Sequence, residues 1–84
     1  MKTVQVTSDA FETLRGSTNT ENVEATIARV EARLASPPAD WGENDAEAAR
    51  HTRWSLQAAL AVLRTEGVVR VRHPRTGETL RLER

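Results

Sequence analysis

Two short segments near the C-terminus alternate between aliphatic and polar side chains, and this pattern limits the folds open to the chain. Residues 68–73 read VVRVRH and residues 79–84 read TLRLER. Alternation with a period of two is typical of a half-buried strand, and residues 74–77 (PRTG) supply turn chemistry between the two segments. The sequence therefore predicts a β-hairpin with one aliphatic and one arginine-bearing face. These faces would carry Val69, Val71, Leu80 and Leu82 on one side, and Arg70, Arg72 and Arg81 on the other.

Three segments upstream of the hairpin carry helix signals. Each begins with a capping-box pair, in which a short polar residue precedes a Glu by three positions. We expect a short helix over residues 9–15, an amphipathic helix with an apolar stripe over residues 23–34, and a helical region that runs to Glu66 and stops at Gly67. Residues 45–66 could form one helix or two helices broken near His51 and Thr52. The cap pairs are Asp9 with Glu12, Thr18 with Glu21, and Asn44 with Glu47.

The remaining segments complete the predicted domain. Residues 3–7 (TVQVT) alternate and predict a short strand, which could add to the hairpin as a third strand. Residues 36–44 contain two prolines and a glycine, so they predict a loop in which Trp41 folds back over the core. We expect a single α+β domain over residues 1–84, with helices packed on the C-terminal hairpin. Its parts are a strand–helix–helix segment (1–35), the loop (36–44), and the helix and hairpin (45–84).

The formal charge is zero, but the two halves of the chain differ strongly. Residues 1–49 hold four basic and nine acidic side chains, a net charge of −5, whereas residues 50–84 hold eight arginines and three glutamates, a net charge of +5. Guanidinium groups grip phosphates and carboxylates. We therefore expect the C-terminal half to face an anion, or the acidic half of a second copy.

Composition narrows the class of protein further. The chain has no cysteine and three aromatic residues, and no apolar run approaches the roughly 18 residues of a membrane span. The N-terminus shows no signal-peptide pattern. These features lead us to expect a cytoplasmic protein without membrane contact, whose small core favours oligomerisation.

Residues 52–84 resemble the C-terminal half of a winged helix-turn-helix domain. The matching positions are Thr52 as helix cap, Leu56, Leu60 and Leu63 as the apolar residues that follow, Gly67-Val68-Val69 as the helix end, and Arg75 at the hairpin tip. The resemblance implies a winged-helix-like fold and a DNA-binding regulator or accessory factor. The DNA-facing residues it implies are Arg53, Ser55, Gln57 and Arg64 on the helix, with Gln57 reading bases, and Arg70, Arg72 and Arg75 on the hairpin.

Residues 4–34 are similar to the start of a ribbon-helix-helix domain, because a short strand leads into Thr7-Ser8-Asp9 and then a capped amphipathic helix follows. That resemblance implies DNA contacts through Thr3, Gln5 and Thr7. The net charge of −5 in this half opposes phosphate binding. A third strand on the C-terminal hairpin is the favoured alternative.

No residue pattern in the sequence indicates catalysis or metal binding. Glu47 and His51 share a predicted helix face, but no cysteine or further converging histidine accompanies them. The four glycines stand alone, so they form no phosphate-cradling loop, and there is no nucleophile elbow. We expect no enzymatic activity, no cofactor and no metal.

A second hypothesis for function is a protein-interaction module, such as a partner-binding subunit, a toxin-neutralising or immunity-type protein, or a phage accessory protein. At helical spacing, Trp54, Ala58 and Ala61 cluster opposite the leucines and form an apolar strip. Exposed aromatic residues flanked by arginine are common binding hot spots. The same strip predicts a homodimer, because one copy does not easily cover both faces of that helix.

Overall fold

A computed structural model describes residues 1–17 and 19–84. Within them the chain forms three helices and one three-stranded sheet, which confirms the predicted α+β class. In chain order the elements are β1 (Thr3–Gln5), α1 (Ser8–Leu14), α2 (Thr20–Ala35), α3 (Glu43–Glu66), β2 (Val68–Arg72) and β3 (Thr79–Glu83).

The N-terminal strand joins the C-terminal hairpin, so the strand order is β1-β2-β3. β1 runs parallel to β2, with Val4 opposite Val71, and β2 runs antiparallel to β3, with Val71 opposite Leu80. The predicted hairpin and third strand are therefore both present. β1 is shorter than the predicted segment 3–7, because Thr7 already caps α1.

The core is a layer of aliphatic side chains between the sheet and the helices. α3 is the central element, since it packs against α2, α1 and the strands β1 and β2. Phe11 is the aromatic residue of the core and is fully buried. The other fully or almost fully buried apolar residues are Val6, Ala10, Leu14, Val23, Ile27, Leu56, Ala59, Leu60, Leu63, Val69, Val71 and Leu82.

The helix starts differ from the predicted capping boxes. α1 begins at Ser8 because Thr7 Oγ1 accepts a hydrogen bond from the backbone N–H of Ala10 at 3.2 Å. Asn19 caps α2 in the same way, through the N–H of Asn22 at 2.9 Å. Thr18, the predicted cap, lies outside the described residues.

α3 starts after Gly42 and not after Asn44, which corrects the third predicted capping box. The carboxylate of Asp45 accepts a hydrogen bond from the N–H of Gly42 at 2.8 Å, so the first helical residue is Glu43. Both Gly and Asn are good N-cap residues. In the structure Gly42 holds the N-cap position, and its N–H bonds to the Asp45 carboxylate.

Residues 43–66 form one continuous helix, which settles the alternative left open by the sequence. Thr52 is a buried interior residue of α3, although the winged-helix resemblance puts it at a helix start. Gly67 ends the helix as predicted. It adopts a left-handed conformation with φ of +81°, and its N–H donates to the carbonyl of Leu63 at 2.9 Å.

Trp41 folds back only to the rim of the core. Its side chain is half-buried and lines an open cleft of about 390 Å³ between the three helices, together with Val30, Arg33 and Thr52.

Candidate nucleic-acid interface

The outer face of the sheet carries a cluster of arginines. Strand alternation buries Val69 and Val71 against the helices and turns the residues between them outward. Two rows of side chains cross this face, and each row contains one residue from each of the three strands, paired in register. The rows are Thr3, Arg70 and Arg81, and Gln5, Arg72 and Thr79, and we call these six residues the arginine face.

Like charges face each other on the arginine face. Arg70 lies directly opposite Arg81 across the antiparallel ladder, a position where like charges destabilise a sheet. Arg81 has partial compensation, since its Nη2 lies 2.9 Å from Glu83 Oε1. Among the described residues, no carboxylate lies within 4 Å of Arg70 or Arg72. A bound anion would relieve this repulsion.

Arg75 extends the basic surface to the hairpin tip. The ring of His73 organises this turn, because its Nδ1 accepts hydrogen bonds from the backbone N–H groups of Arg75 at 3.1 Å and Thr76 at 3.2 Å. Arg75 also lines a shallow crevice at the end of β1, beside Gln5. Arg75 at the hairpin tip therefore lies next to the row of side chains that contains Gln5 and Arg72.

An ion-paired clasp holds the hairpin against α1. Arg15 donates to both oxygens of Glu78 at 2.9 Å and to Glu12 at 2.7 Å. These hydrogen bonds lower the pKa of Glu78 and of Glu12 below their ordinary value, and they raise the pKa of Arg15.

Aromatic contacts reinforce the clasp. Arg15 also lies over the ring of Phe11, 5.1 Å from its centroid, and the ring of Phe11 meets His73 edge to face at 5.2 Å. Sequence reasoning did not single out Arg15 or Glu78, because no local pattern links residues 63 positions apart.

The structure divides the residues that the winged-helix resemblance assigns to DNA. α3 packs against the inner face of the sheet, so Arg53, Gln57 and Arg64 lie on the other side of the sheet from Arg70 and Arg72. Gln57 is exposed and Arg53 is half-buried.

Two of the helix residues implied to face DNA have structural partners within the chain. Arg64 pairs with Glu24 of α2 at 2.9 Å. Ser55 is half-buried, and its Oγ accepts a hydrogen bond from the N–H of Thr7 at 3.1 Å, which ties α3 to the start of α1.

The predicted apolar strip, formed by Trp54, Ala58 and Ala61, lies on the solvent-facing side of α3. Trp54 is 70% exposed, and both alanines are exposed. The ring of His51 stacks beside Trp54, with 6.0 Å between centroids and 14° between planes. Met1 and Trp54 are the large apolar side chains that the described residues expose to solvent.

Two absences concern the part of the chain that the structure describes, residues 1–17 and 19–84. No three His, Asp or Glu side chains there converge as metal ligands would, and no helix there has the length and apolar character needed to cross a bilayer. No protein-family model, curated protein or solved structure matches the chain. Function is therefore inferred from the geometry of its own residues.

Proposed function

We propose that this protein is a small cytoplasmic DNA-binding regulator or accessory factor that contacts the phosphate backbone through its C-terminal arginines. Arg70 and Arg72 are the central contacts, Arg81 flanks them, and Arg75 contributes from the hairpin tip. The observation that carries this proposal is the Arg70–Arg81 pair on the exposed sheet face, in which Glu83 compensates Arg81 in part and no carboxylate of the described residues pairs with Arg70.

The spacing of the arginines suits a charged backbone. Arg70 and Arg72 are two residues apart on one strand, so their Cα atoms are separated by roughly 7 Å. That separation lets two guanidinium groups reach neighbouring phosphates, each of which accepts paired hydrogen bonds from a guanidinium fork. Thr3, Gln5 and Thr79 add neutral hydrogen-bonding side chains around them.

The absence of an aromatic ring from the arginine face favours double-stranded over single-stranded nucleic acid. Sequence-tolerant single-strand binding relies on aromatic side chains on which bases stack, and the six residues of this face include none. Contacts to the backbone of a duplex need only the guanidinium groups.

Fluorescence anisotropy with a labelled DNA duplex at low salt tests the proposal. The wild-type chain should bind at micromolar concentration, and Arg70→Glu/Arg72→Glu should lose binding while circular dichroism shows an unchanged fold. Arg29→Glu/Arg33→Glu on α2 makes the same change in net charge at a distance from the sheet and should retain most of the binding. Equal losses in the two double variants would show that net charge, not the arginine face, governs binding.

A second candidate function, a protein-interaction module, is favoured by the exposure of Trp54 on the apolar strip. Here Trp54 anchors the contact, the two alanines leave room for the partner, and neighbouring arginines form a polar rim. Purification of the protein from native cells separates the two candidates, when the purified material is assayed both for bound nucleic acid and for bound protein. Co-purifying protein that is lost on Trp54→Ala but kept on Arg70→Glu would favour this second candidate.

A further inference from the structure

We infer that the apolar strip of α3 binds the same strip of a second copy of this chain, with the two α3 helices antiparallel. The inference rests on the second candidate function, in which the strip is a protein-contact surface. It names a second copy of this chain as the partner. It does not depend on nucleic-acid binding, because the arginine face lies on the outer side of the sheet.

The free side of α3 has the spacing of a helix-pairing seam. Its residues follow one another at alternating intervals of three and four, the a/d pattern of paired helices. The core-facing residues of α3 occupy the opposite side of the helix, so each side of it carries apolar residues. The seam consists of His51, Trp54, Ala58, Ala61 and Thr65.

The seam is complementary to itself, which points to a second copy as the partner. Trp54 is a large exposed side chain, and Ala58, one turn further along α3, is small. The tryptophan of one copy can therefore pack over the alanine of another. A twofold axis near the level of Leu56 brings Trp54 of each copy over Ala58 of the other and His51 over Ala61. A symmetric interface repeats each such contact twice.

Charge selects the antiparallel orientation. On the seam side α3 begins with Glu43 and Glu47, and its C-terminal end lies beside Arg84, whose guanidinium donates to the carbonyl of Arg64 at 3.0 Å. Antiparallel pairing places Glu43 and Glu47 near Arg84 of the other copy and sets the two helix dipoles in opposite directions, whereas parallel pairing places these glutamates against the same glutamates of the other copy. A single helix pair buries about 1,000 Å² or less, so the dimer is transient and depends on concentration.

Analytical ultracentrifugation from about ten to several hundred micromolar protein tests the dimer. The weight-average mass should rise from 9.3 kDa towards twice that value, and Trp54→Ala should raise the dissociation constant at least about tenfold. Trp41→Ala, which removes the tryptophan of the loop, should leave the dissociation constant unchanged. A monomer at every concentration, or a dimer indifferent to Trp54→Ala, would overturn the inference even if Trp54 binds some other protein.

Disulfide formation tests the orientation, since the natural chain has no cysteine. Residues 51 and 61 are about 15 Å apart along one helix, too far for a bond within one copy. His51→Cys/Ala61→Cys should therefore form a covalent dimer on oxidation, while either single substitution stays monomeric. Efficient crosslinking by a single substitution would show parallel pairing and overturn the antiparallel arrangement. Both results are independent of whether DNA binds.

Discussion

Arg70 and Arg81 face each other across the β2–β3 ladder on the solvent side of the sheet, and Glu83 pairs with Arg81 at 2.9 Å. A sheet face under selection for stability alone would set opposite charges at such positions, because opposite pairs stabilise and like pairs destabilise. The Arg70–Arg81 pair is therefore a small cost to the free protein, and an anion bound between the two guanidinium groups would offset it, as the proposed function requires.

This relationship predicts that stability and binding move in opposite directions. Arg70→Glu places a carboxylate opposite Arg81 and two residues from Arg72, so it should raise the free energy of unfolding by roughly 0.2–1 kcal/mol. The same variant should bind a DNA duplex several-fold more weakly. Urea unfolding and anisotropy on one preparation check both effects. Lower stability together with weaker binding would mean that the variant loses affinity by losing structure.

The winged-helix interpretation and the arginine face differ in what they require of α3. Arg53→Gln/Gln57→Ala should leave duplex affinity within about twofold, because both residues lie on the other side of the sheet from Arg70. Binding curves for two duplexes of different sequence provide the measurement. A large loss of affinity, or a loss of preference between the duplexes, would instead support base contacts by α3.

The clasp between α1 and the hairpin predicts a pH dependence of stability. Arg15 lowers the pKa of Glu12 and Glu78 in the folded protein below the ordinary value of 4.5. A carboxyl with a lowered folded pKa stabilises the fold above its unfolded pKa and loses that contribution as the pH falls through the folded value. The wild type should therefore exceed Arg15→Gln in stability at pH 7, and the difference should narrow below about pH 4.5.

Urea midpoints at pH 7 and pH 3 measure this difference. Both carboxyls are exposed, so the effect should be small and weaker at high salt. Glu78→Gln should reproduce part of the effect, because it removes the charge of one of the two carboxylates that pair with Arg15. A difference of equal size at both pH values would show that the packing of Arg15 on Phe11, not its ion pairs, supplies the stabilisation.

Phe11 is fully buried and is the one aromatic side chain that the structure places in the core. Phe11→Ala should cost about 3–5 kcal/mol, since it removes apolar contact and leaves a cavity. A domain of this size has little stability to spare, so the variant should be largely unfolded at room temperature by circular dichroism. Phe11→Leu, which fills more of the space, should remain folded.

The elements that the sequence predicts well are those set by a local, repeated pattern. Strict alternation gives the faces of β2 and β3, and Gly67 marks the end of α3 because few other residues adopt its left-handed conformation. β1 also alternates, and pairing with β2 buries Val4 in part while Gln5 stays exposed.

Other features depend on contacts between distant residues or on close competition between neighbours. The observed N-caps are Thr7, Asn19 and Gly42, and each lies within two residues of the cap that the sequence predicted. Thr52 lies buried within the continuous helix α3, and a threonine is compatible both with a helix cap and with a helix interior. The bonds Ser55–Thr7 and Arg15–Glu78 join residues far apart in sequence, so no local pattern indicated them.

The salt dependence of duplex binding tests the central claim most directly. Each phosphate neutralised by an arginine releases counterions, so the logarithm of the binding constant should fall linearly with the logarithm of salt, with a slope of about −0.9 per contact. Substituting Arg70 and Arg72 by Gln should make the slope shallower by roughly 1.8, whereas Arg29→Gln/Arg33→Gln should leave it unchanged. Absence of binding at micromolar protein and low salt, or an equal change of slope in both double variants, would contradict the assignment of phosphate binding to the arginine face.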